Sequence, residues 1–247
     1  MAGGYGRGVC GRYVVTRSWD DLLAEFEAAD PVGGAPFRPD YNIAPTDPVP
    51  VVLVRHPPGD RAAPARRQLR VARWGLVPSY AKDTGGAARR INARAETVTE
   101  LPSFRAAVAR RRCLVPADGW YEWARRDGGG RQPYFLTPAD GSLLALAGLY
   151  EIWGEDRLLT SSIITTAAVG ELARVHDRMP LVLPPDRWAG WLDPARPDPG
   201  PLLAPPAPDV VARLELRLVG PAVGNVANDG PELIAPVQPG PSPQRLF

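Results

Sequence analysis

The clearest fold signal in this chain of 247 residues is the stretch Cys113-Leu114-Val115-Pro116-Ala117-Asp118-Gly119-Trp120-Tyr121-Glu122-Trp123. Its apolar beginning predicts a buried strand over 113–116, and its aromatic second half predicts another strand over 118–123. A glycine-rich turn over 127–130 and a further apolar segment over 133–136 follow. Together these features predict a β-hairpin.

Strands outnumber helices along the rest of the chain. Apolar runs predict strands over 11–16, 49–54, 68–74, 143–150, 158–166 and 214–218, the last at a sheet edge. Apolar stripes at helical spacing predict short helices after Ser18 and over 103–111, 169–175 and 186–192. Because these elements show no βαβ rhythm, we expect an α+β fold of mostly antiparallel sheet in a single domain over 10–236. Residues 1–9 are expected to be a leader, and residues 237–247 a flexible tail.

The composition is that of an ordinary soluble globular protein. Hydrophobic residues make up 45% of the chain, charged residues 23%, and the formal net charge is +2. No apolar run approaches the roughly 18 residues that a membrane span requires. The two cysteines, Cys10 and Cys113, indicate a reducing compartment without a disulfide framework, and Cys113 is expected to pack in the core. We therefore expect a cytoplasmic protein.

Arginine supplies all but one of the 29 basic residues. A GC-rich genome explains most of this bias, but the arginines also crowd the segment 66–112, where acidic residues are few. This distribution predicts either a basic face suited to phosphates or a merely solvated surface. The arginines concerned are Arg66, Arg67, Arg70, Arg73, Arg89, Arg90, Arg94, Arg105, Arg110, Arg111 and Arg112.

Cys10 lies close to the start of the chain and directly follows Val9. A GTG codon is read as methionine at a bacterial start, so Val9 is a candidate initiator whose removal would leave Cys10 as the first residue. An N-terminal cysteine carries an α-amine that titrates near roughly 7.7–8, with a thiol two carbons away. An aldehyde can condense with that amine to an imine, and the thiol can then close a thiazolidine ring intramolecularly. The alternative is an ordinary buried cysteine.

Glu122 is a candidate for acid–base chemistry. Alternation along a strand places it on the same face as Trp120 and opposite Tyr121 and Trp123, which are expected to be core residues. A carboxylate among aromatic rings is desolvated, and this raises its pKa toward a range useful for proton transfer. A surface glutamate is the structural alternative.

Asn92 and His176 are further candidates. Asn92 stands beside Arg94 between a loop and a short helix, where an asparagine commonly caps a turn. His176 lies in an ordered-looking context, although a packed or surface histidine is commoner than a catalytic one. The histidines and cysteines lack metal-ligand spacing, and no phosphate-binding loop, dinucleotide fingerprint or serine nucleophile elbow is present. We therefore expect neither a metal nor a cofactor.

Seven motifs follow one another along the chain in this order: Cys10-Gly11-Arg12-Tyr13, Tyr41-Asn42-Ile43-Ala44-Pro45-Thr46, Trp74-Gly75-Leu76-Val77-Pro78, Ile91-Asn92-Ala93-Arg94-Ala95-Glu96-Thr97, Cys113 to Trp123, Ala147-Gly148-Leu149-Tyr150, and His176-Asp177-Arg178-Met179-Pro180. Through these motifs the chain resembles, from Cys10 to about Pro236, the SOS response-associated peptidase family, the abasic-site processing proteins. Family members begin Met-Cys-Gly-Arg, whereas here Val9 and eight residues before it precede the cysteine. The resemblance implies antiparallel sheets curled into a barrel-like core with short flanking helices.

The resemblance also implies a function. Such a protein binds single-stranded DNA and captures abasic sites as a thiazolidine between its N-terminal cysteine and the C1′ aldehyde of the sugar, with weak lyase activity through the imine. Cys10 would supply the amine and thiol, and Asn92 would orient the amine or the sugar. Glu122 would move protons, and His176 would act as an acid or base near the sugar.

The same resemblance implies a set of DNA contacts. Arg12, Arg94 and Arg178 would grip phosphates through their bidentate guanidinium groups. Asn42, Pro45 and Trp74 would wedge or stack against bases and splay the strand at the lesion.

Two other functions stay open. A cysteine-dependent peptidase could remove its own leader at the Val9–Cys10 bond, and a non-covalent module could bind single-stranded DNA with an idle cysteine. In each case we expect a bacterial, nucleoid-associated monomer with no membrane partner.

Overall fold

The computed structural model describes residues 10–33, 37–56, 59–60, 62–126 and 129–238, and it contains β-strands with a few short helices. The strands are β1 (Tyr13–Val15), β2 (Asp40–Ile43), β3 (Pro48–Arg55), β4 (Arg66–Trp74), β5 (Asn92–Arg94), β6 (Arg112–Ala117), β7 (Gly119–Arg125), β8 (Arg131–Pro138), β9 (Leu144–Trp153), β10 (Leu158–Ala167), β11 (Arg178–Pro180) and β12 (Leu214–Leu218). The α-helices are α1 (Trp19–Glu25), α2 (Arg105–Arg110), α3 (Pro185–Leu192) and α4 (Pro208–Ala212). Short 3-10 helices span Ala87–Arg90, Gly170–Arg174, Gly200–Leu203, Pro221–Gly224 and Pro231–Ile234.

One of the two sheets is ring-like. Strands β10, β4, β3, β6 and β9 are hydrogen-bonded in that order, and β9 pairs again with β10 to close the ring. At the carboxyl end of β10, β5 pairs with one edge and β11 with the other. Within the described part of the chain, β10 pairs in parallel with β4 and β5, and every other strand pairing is antiparallel. The prediction of an α+β fold with mostly antiparallel sheet is confirmed.

The second sheet contains the hairpin that the opening stretch predicts. Its strand order is β12, β8, β7, β1 and β2, and β7 pairs with β8 in register from Trp120 opposite Leu136 to Arg125 opposite Arg131. Part of the predicted turn, residues 127 and 128, lies outside the described residues. The predicted edge strand is β12, which pairs with β8 at one end of this sheet.

The alternation predicted for β7 is also confirmed. Trp120 packs in the main hydrophobic core, which side chains of both sheets share. Tyr121 and Trp123 face the other way, into a smaller cluster with Val14 and Phe135. The two faces of β7 are therefore both covered, and the face that carries Trp120 is the one that Glu122 shares.

Local sequence signals explain the helix boundaries. Helix α1 begins with a capping box, in which the Ser18 hydroxyl accepts the Asp21 N–H at 3.1 Å and the Asp21 carboxylate accepts the Ser18 N–H at 3.2 Å. The helix predicted over 169–175 is instead a single 3-10 turn over Gly170–Arg174. This segment only connects β10 with β11, so it has no room for the length at which an α-helix becomes favourable.

Arg112 is a structural residue rather than a phosphate contact. Its side chain is buried and donates to backbone carbonyls at the ends of two helices: Val108 O at 2.6 Å, Trp191 O at 2.5 Å and Asp193 O at 2.5 Å. A cation at the carboxyl end of a helix satisfies the carbonyls that lack partners within the helix. This arginine therefore joins α2 to α3. At least one arginine of the segment 66–112 therefore stabilises the fold.

The chain ends fall largely outside the described residues, including the expected leader over 1–9 and the tail from residue 239 onward. The first residue of the expected tail, Val237, is still held, because its N–H donates to Leu218 O at 2.9 Å.

Candidate active site

Cys10 and Glu122 meet at the amino end of β1. The Cys10 N–H donates to Glu122 Oε1 at 2.7 Å, across 112 positions of sequence. Both residues are buried, with 0% of Cys10 and 3% of Glu122 exposed. In a chain beginning at Cys10, the same nitrogen would be the α-amine.

Strand pairing explains this contact. Tyr13 lies opposite Trp120 in the β1–β7 ladder, and the Tyr121 N–H donates to Arg12 O at 2.9 Å. Side chains two residues apart share a face, so Glu122 follows Trp120 onto the face of the main core. Because the strands run antiparallel, that position lies beside the residues that precede β1.

The buried environment shifts both titrating groups. Burial raises the pKa of Glu122 to about 8; the hydrogen bond from the Cys10 N–H acts in the opposite direction, and the negative charge of Asp177 adds to the rise. Burial also raises the pKa of the Cys10 thiol well above its ordinary value, and the charge of Glu122 adds to this. The site therefore holds a carboxyl group that can exchange a proton near neutral pH beside a thiol that stays protonated.

Asn92 reaches the same place from the ring-like sheet. It begins β5, which pairs in parallel with β10, with Asn92 opposite Ile163. Its Nδ2 donates to Cys10 O at 3.5 Å, a long contact that places the amide beside the cysteine backbone. The structure thus brings three of the four predicted catalytic residues together: Cys10, Asn92 and Glu122.

His176 contacts its two neighbours along the chain, Asp177 and Arg178. Its Nδ1 lies 3.1 Å from the Arg178 N–H, which donates to it, and 2.8 Å from Asp177 Oδ1. When Nδ1 accepts the Arg178 N–H it carries no proton itself, and the proton of the imidazole then lies on Nε2. The negative charge of the neighbouring Asp177 adds to the rise in the pKa of Glu122.

The arginines of the predicted DNA-binding set differ in accessibility. Arg94 at the end of β5 is exposed. Arg178 in β11 is only 14% exposed at its side chain and forms a bidentate ion pair with Glu96. Pro45 is partly exposed at the turn between β2 and β3, where the Thr46 N–H donates to Trp74 O at 2.8 Å.

Trp74 is placed by the structure in the core. It is 1% exposed, packs edge-on against Tyr13 with ring centroids 5.1 Å apart, and donates its indole N–H to Ile91 O at 2.9 Å. A ring held in this way supports the backbone directly before Asn92 and presents no face for base stacking.

Arg12 and Asn42 also act within the fold. Asn42 is 3% exposed; its Oδ1 accepts a hydrogen bond from Arg12 at 2.7 Å, and its Nδ2 donates to Asn225 O and Asn228 O. Arg12 also donates to Val223 O at 3.0 Å. These contacts tie the segment after β12 to β1 and β2, so both side chains are occupied by the protein itself.

Comparison with known proteins identifies the relatives of this chain. A family model described as SOS response associated peptidase (SRAP) matches residues 9–226. The chain belongs to the SRAP family. The matched region begins one residue before Cys10 and therefore contains the cysteine site.

The sequence relatives of this SRAP protein include bacterial and animal proteins. It is 34% identical over 229 residues to the abasic site processing protein YoqW of Bacillus subtilis, covering 92% of this chain and 99% of that one. It is 32% identical over 242 residues to the abasic site processing protein HMCES of Gallus gallus, covering 83% and 68%. A crystal structure of a protein from Bacteroides thetaiotaomicron shares the fold with a TM-score of 0.76 at 22% identity, covering 93% and 100%.

Sequence reasoning missed two residues at the SRAP site. Asp177 adds its charge to the environment of Glu122, and Glu96 binds Arg178. Both stand inside quoted motifs, next to or near residues that had been assigned roles. The signal in the sequence was an acidic residue close to an arginine that is expected to bind phosphate: Glu96 near Arg94, and Asp177 beside Arg178.

The described residues contain no candidate metal site and no candidate membrane-spanning helix. Within the described ranges, no group of three or more histidine, cysteine, aspartate and glutamate side chains is arranged to hold a metal ion. No helix in the same part of the chain combines the length and the apolar character needed to cross a membrane.

Proposed function

We propose that this protein processes abasic sites in single-stranded DNA by capturing them covalently through the amine and thiol of Cys10. The observation that carries the proposal is the 2.7 Å contact between the Cys10 nitrogen and the buried Glu122 carboxylate. Membership of the SRAP family and the similarity to proteins named for abasic site processing support the choice of substrate.

The proposed capture joins one aldehyde to one cysteine with loss of one water. The neutral amine attacks C1′ of the open-chain sugar, a proton moves from nitrogen to oxygen, and the resulting carbinolamine loses water to form an imine. The thiol sulfur then bonds to C1′, and its proton passes to the nitrogen, which closes the thiazolidine. Strand cleavage by lyase chemistry competes at the imine stage, and ring closure removes that intermediate.

Glu122 is suited to the proton transfers of these steps. An α-amine titrates near roughly 7.7–8, and the pKa of Glu122 is raised to about 8. Burial favours a neutral amine beside a neutral carboxyl group over an ammonium–carboxylate pair, so the carboxylate can take a proton from the ammonium and return it to the departing hydroxyl. Proximity of amine, thiol and carboxyl group makes each transfer intramolecular.

The remaining site residues act around this centre. Asn92 holds the Cys10 backbone carbonyl and thereby orients the amine toward the sugar. His176 exchanges a proton with the sugar or its phosphate. Arg94 and Arg178 contact flanking phosphates, while Pro45 wedges against a base at the neighbouring turn.

The mature chain is proposed to begin at Cys10. An internal Cys10 has no free amine, and its backbone lies in the left-handed region with a φ of +44°. A residue with a Cβ is disfavoured there by roughly 1 kcal/mol, and the torsion no longer exists when Cys10 is the first residue. The family match from residue 9 supports the same boundary.

A direct test uses an oligonucleotide with one abasic site and two protein forms, one starting at Cys10 and one retaining residues 1–9. We expect the first form alone to give a product that survives denaturation, with the summed mass less one water. Equal adduct from the form that keeps residues 1–9 would contradict the role of the free amine.

A peptidase has less support in the geometry. Cysteine nucleophiles of hydrolases are activated by a lowered thiol pKa, whereas burial and the charge of Glu122 raise that of Cys10. Cleavage of an unrelated peptide by the form starting at Cys10 would favour the peptidase instead.

Replacing Arg94 with alanine is expected to weaken binding of undamaged single-stranded DNA and to flatten its salt dependence. One lost phosphate contact lowers the slope of log K against log salt by about 0.7. Titrations over a series of salt concentrations measure this slope, with Arg131→Ala as a control, because Arg131 is exposed at the start of β8 and lies outside the arginine-rich segment. An unaltered slope would place Arg94 away from the DNA.

A further inference from the structure

Glu96 lies in the turn that follows β5, in which the Thr97 N–H donates to Arg94 O at 3.1 Å. Its carboxylate accepts two hydrogen bonds from Arg178, Nη1 to Oε1 at 2.7 Å and Nη2 to Oε2 at 2.9 Å. The Glu96 side chain is 50% exposed, whereas that of Arg178 is 14% exposed. The guanidinium is therefore fixed in the protein, and the carboxylate that covers it faces solvent.

The strands position Arg178 independently of Glu96. Arg178 begins β11 opposite Ala167 of β10, and its Nη2 also donates to Thr165 O at 2.7 Å. Removal of the Glu96 carboxylate would leave this anchor in place. The guanidinium would then present its outer N–H groups to whichever anion reached it.

A second arginine acts on the same carboxylate. Arg94 pairs with Thr165 from β5, on the edge of β10 opposite to β11. Hydrogen bonds from Arg178 lower the pKa of Glu96, and the charge of Arg94 lowers it as well. Glu96 thus carries a full negative charge at neutral pH, paired with Arg178 and within the electrostatic influence of Arg94, the two arginines that are proposed to contact phosphates.

We propose that Glu96 occupies, in the DNA-free protein, the position of a backbone phosphate on Arg178, and that a bound strand must displace it. This inference rests on the proposed function, because it takes Arg178 as a phosphate contact. A carboxylate and a phosphodiester both carry one negative charge and both accept two N–H groups from a guanidinium. The exchange therefore preserves the charge balance around β10.

The consequence is a selective weakening of non-covalent binding. Every strand has to compete with Glu96 for Arg178, whether or not it is damaged. A strand with an abasic site is retained by the covalent bond to Cys10, whereas an undamaged strand has only its phosphate contacts. Glu96 thereby favours release of intact DNA.

The test measures binding of an undamaged single-stranded oligonucleotide to the full-length protein and to two variants that each remove one negative charge. Glu96→Gln is expected to bind about three- to fivefold tighter than Glu100→Gln, because the free energy of a partly exposed ion pair corresponds to a change in affinity of this size. The slope of log K against log salt is expected to steepen by up to about 0.7 in Glu96→Gln alone. Glu100 is exposed and forms no ion pair within the described part of the chain.

A double-mutant cycle with Arg178→Gln completes the test, because the gain from Glu96→Gln should disappear when its partner is absent. Should Glu96→Gln fold poorly, Glu96→Asp shortens the same side chain and is expected to give a smaller gain. Weaker binding by Glu96→Gln than by Glu100→Gln would show that Glu96 holds Arg178 in position for DNA and would overturn the inference, as would equal binding. Since undamaged DNA is used, failure of covalent capture by the unaltered protein does not affect this comparison.

Discussion

Replacing Cys10 with alanine is expected to abolish the denaturation-resistant product with abasic DNA, a loss of at least about a hundredfold. The variant keeps its α-amine after removal of the initiator but lacks the sulfur that closes the ring. It should therefore still form the reversible imine. Borohydride reduction converts an imine to a stable secondary amine, so a covalent product should reappear when the reductant is present. Denaturing gels and intact mass with and without borohydride measure both effects.

Cys113→Ala is the matched control. Cys113 is also fully buried, in β6 of the ring-like sheet, and burial raises its thiol pKa as well. It has no part in the proposed chemistry, so this variant should form the adduct at an unchanged rate and lose only stability, by about 1 kcal/mol. A denaturation-resistant product from Cys10→Ala without reductant would rule out the thiazolidine.

Glu122→Gln is expected to slow both formation and release of the adduct by about a hundredfold, the usual contribution of one positioned acid or base. The amide keeps the size of the side chain and can still accept the Cys10 N–H, but it cannot carry a proton. In the unaltered protein, formation should rise with pH as the amine loses its proton near roughly pH 8. At higher pH it should fall, because loss of water from the carbinolamine needs an acid and Glu122, with a pKa of about 8, has then lost its proton.

The pH profile separates this role from a structural one. The two groups interact, so the bell-shaped profile of the unaltered protein reports the pair rather than either group alone. In Glu122→Gln the falling limb should disappear, leaving the titration of the amine. Glu151→Gln is the control, since Glu151 is a buried carboxylate paired with Arg111 at 2.8 Å. An unchanged release rate in Glu122→Gln would remove Glu122 from proton transfer.

Local patterns predicted much of this architecture. The capping box at Ser18, the hairpin of β7 and β8, and the opposite faces of Trp120 and Tyr121 follow from interactions between residues near one another in the chain. Such interactions depend on spacing alone, and spacing is visible in a sequence. The proximity of Glu122 to Cys10 followed from family resemblance rather than from any pattern.

Hydrogen-bond partners that lie far apart in the sequence could not be predicted in the same way. Arg12 donates to Val223, 211 positions away, and Arg178 binds Glu96, 82 positions away. An arginine that binds phosphate and one that binds a carbonyl or carboxylate of its own chain have the same local sequence. Trp74 is a similar case, because its ring packs against Tyr13 and its indole N–H donates to Ile91 O, and both residues come from other segments of the chain.

The amino-acid order alone thus predicts the strand-rich α+β class, the family and a set of candidate reactive residues, since these predictions depend on residue type and short-range periodicity. The tertiary structure decides which charged side chains remain free to bind a ligand. Closing the ring-like sheet brings β5 and β11 to the two edges of β10 and places Glu96 on Arg178. Pairing β1 with β7 buries Glu122 against the Cys10 nitrogen. A side chain's solvation and its partner, which set its pKa and its free hydrogen bonds, exist only after distant segments have met.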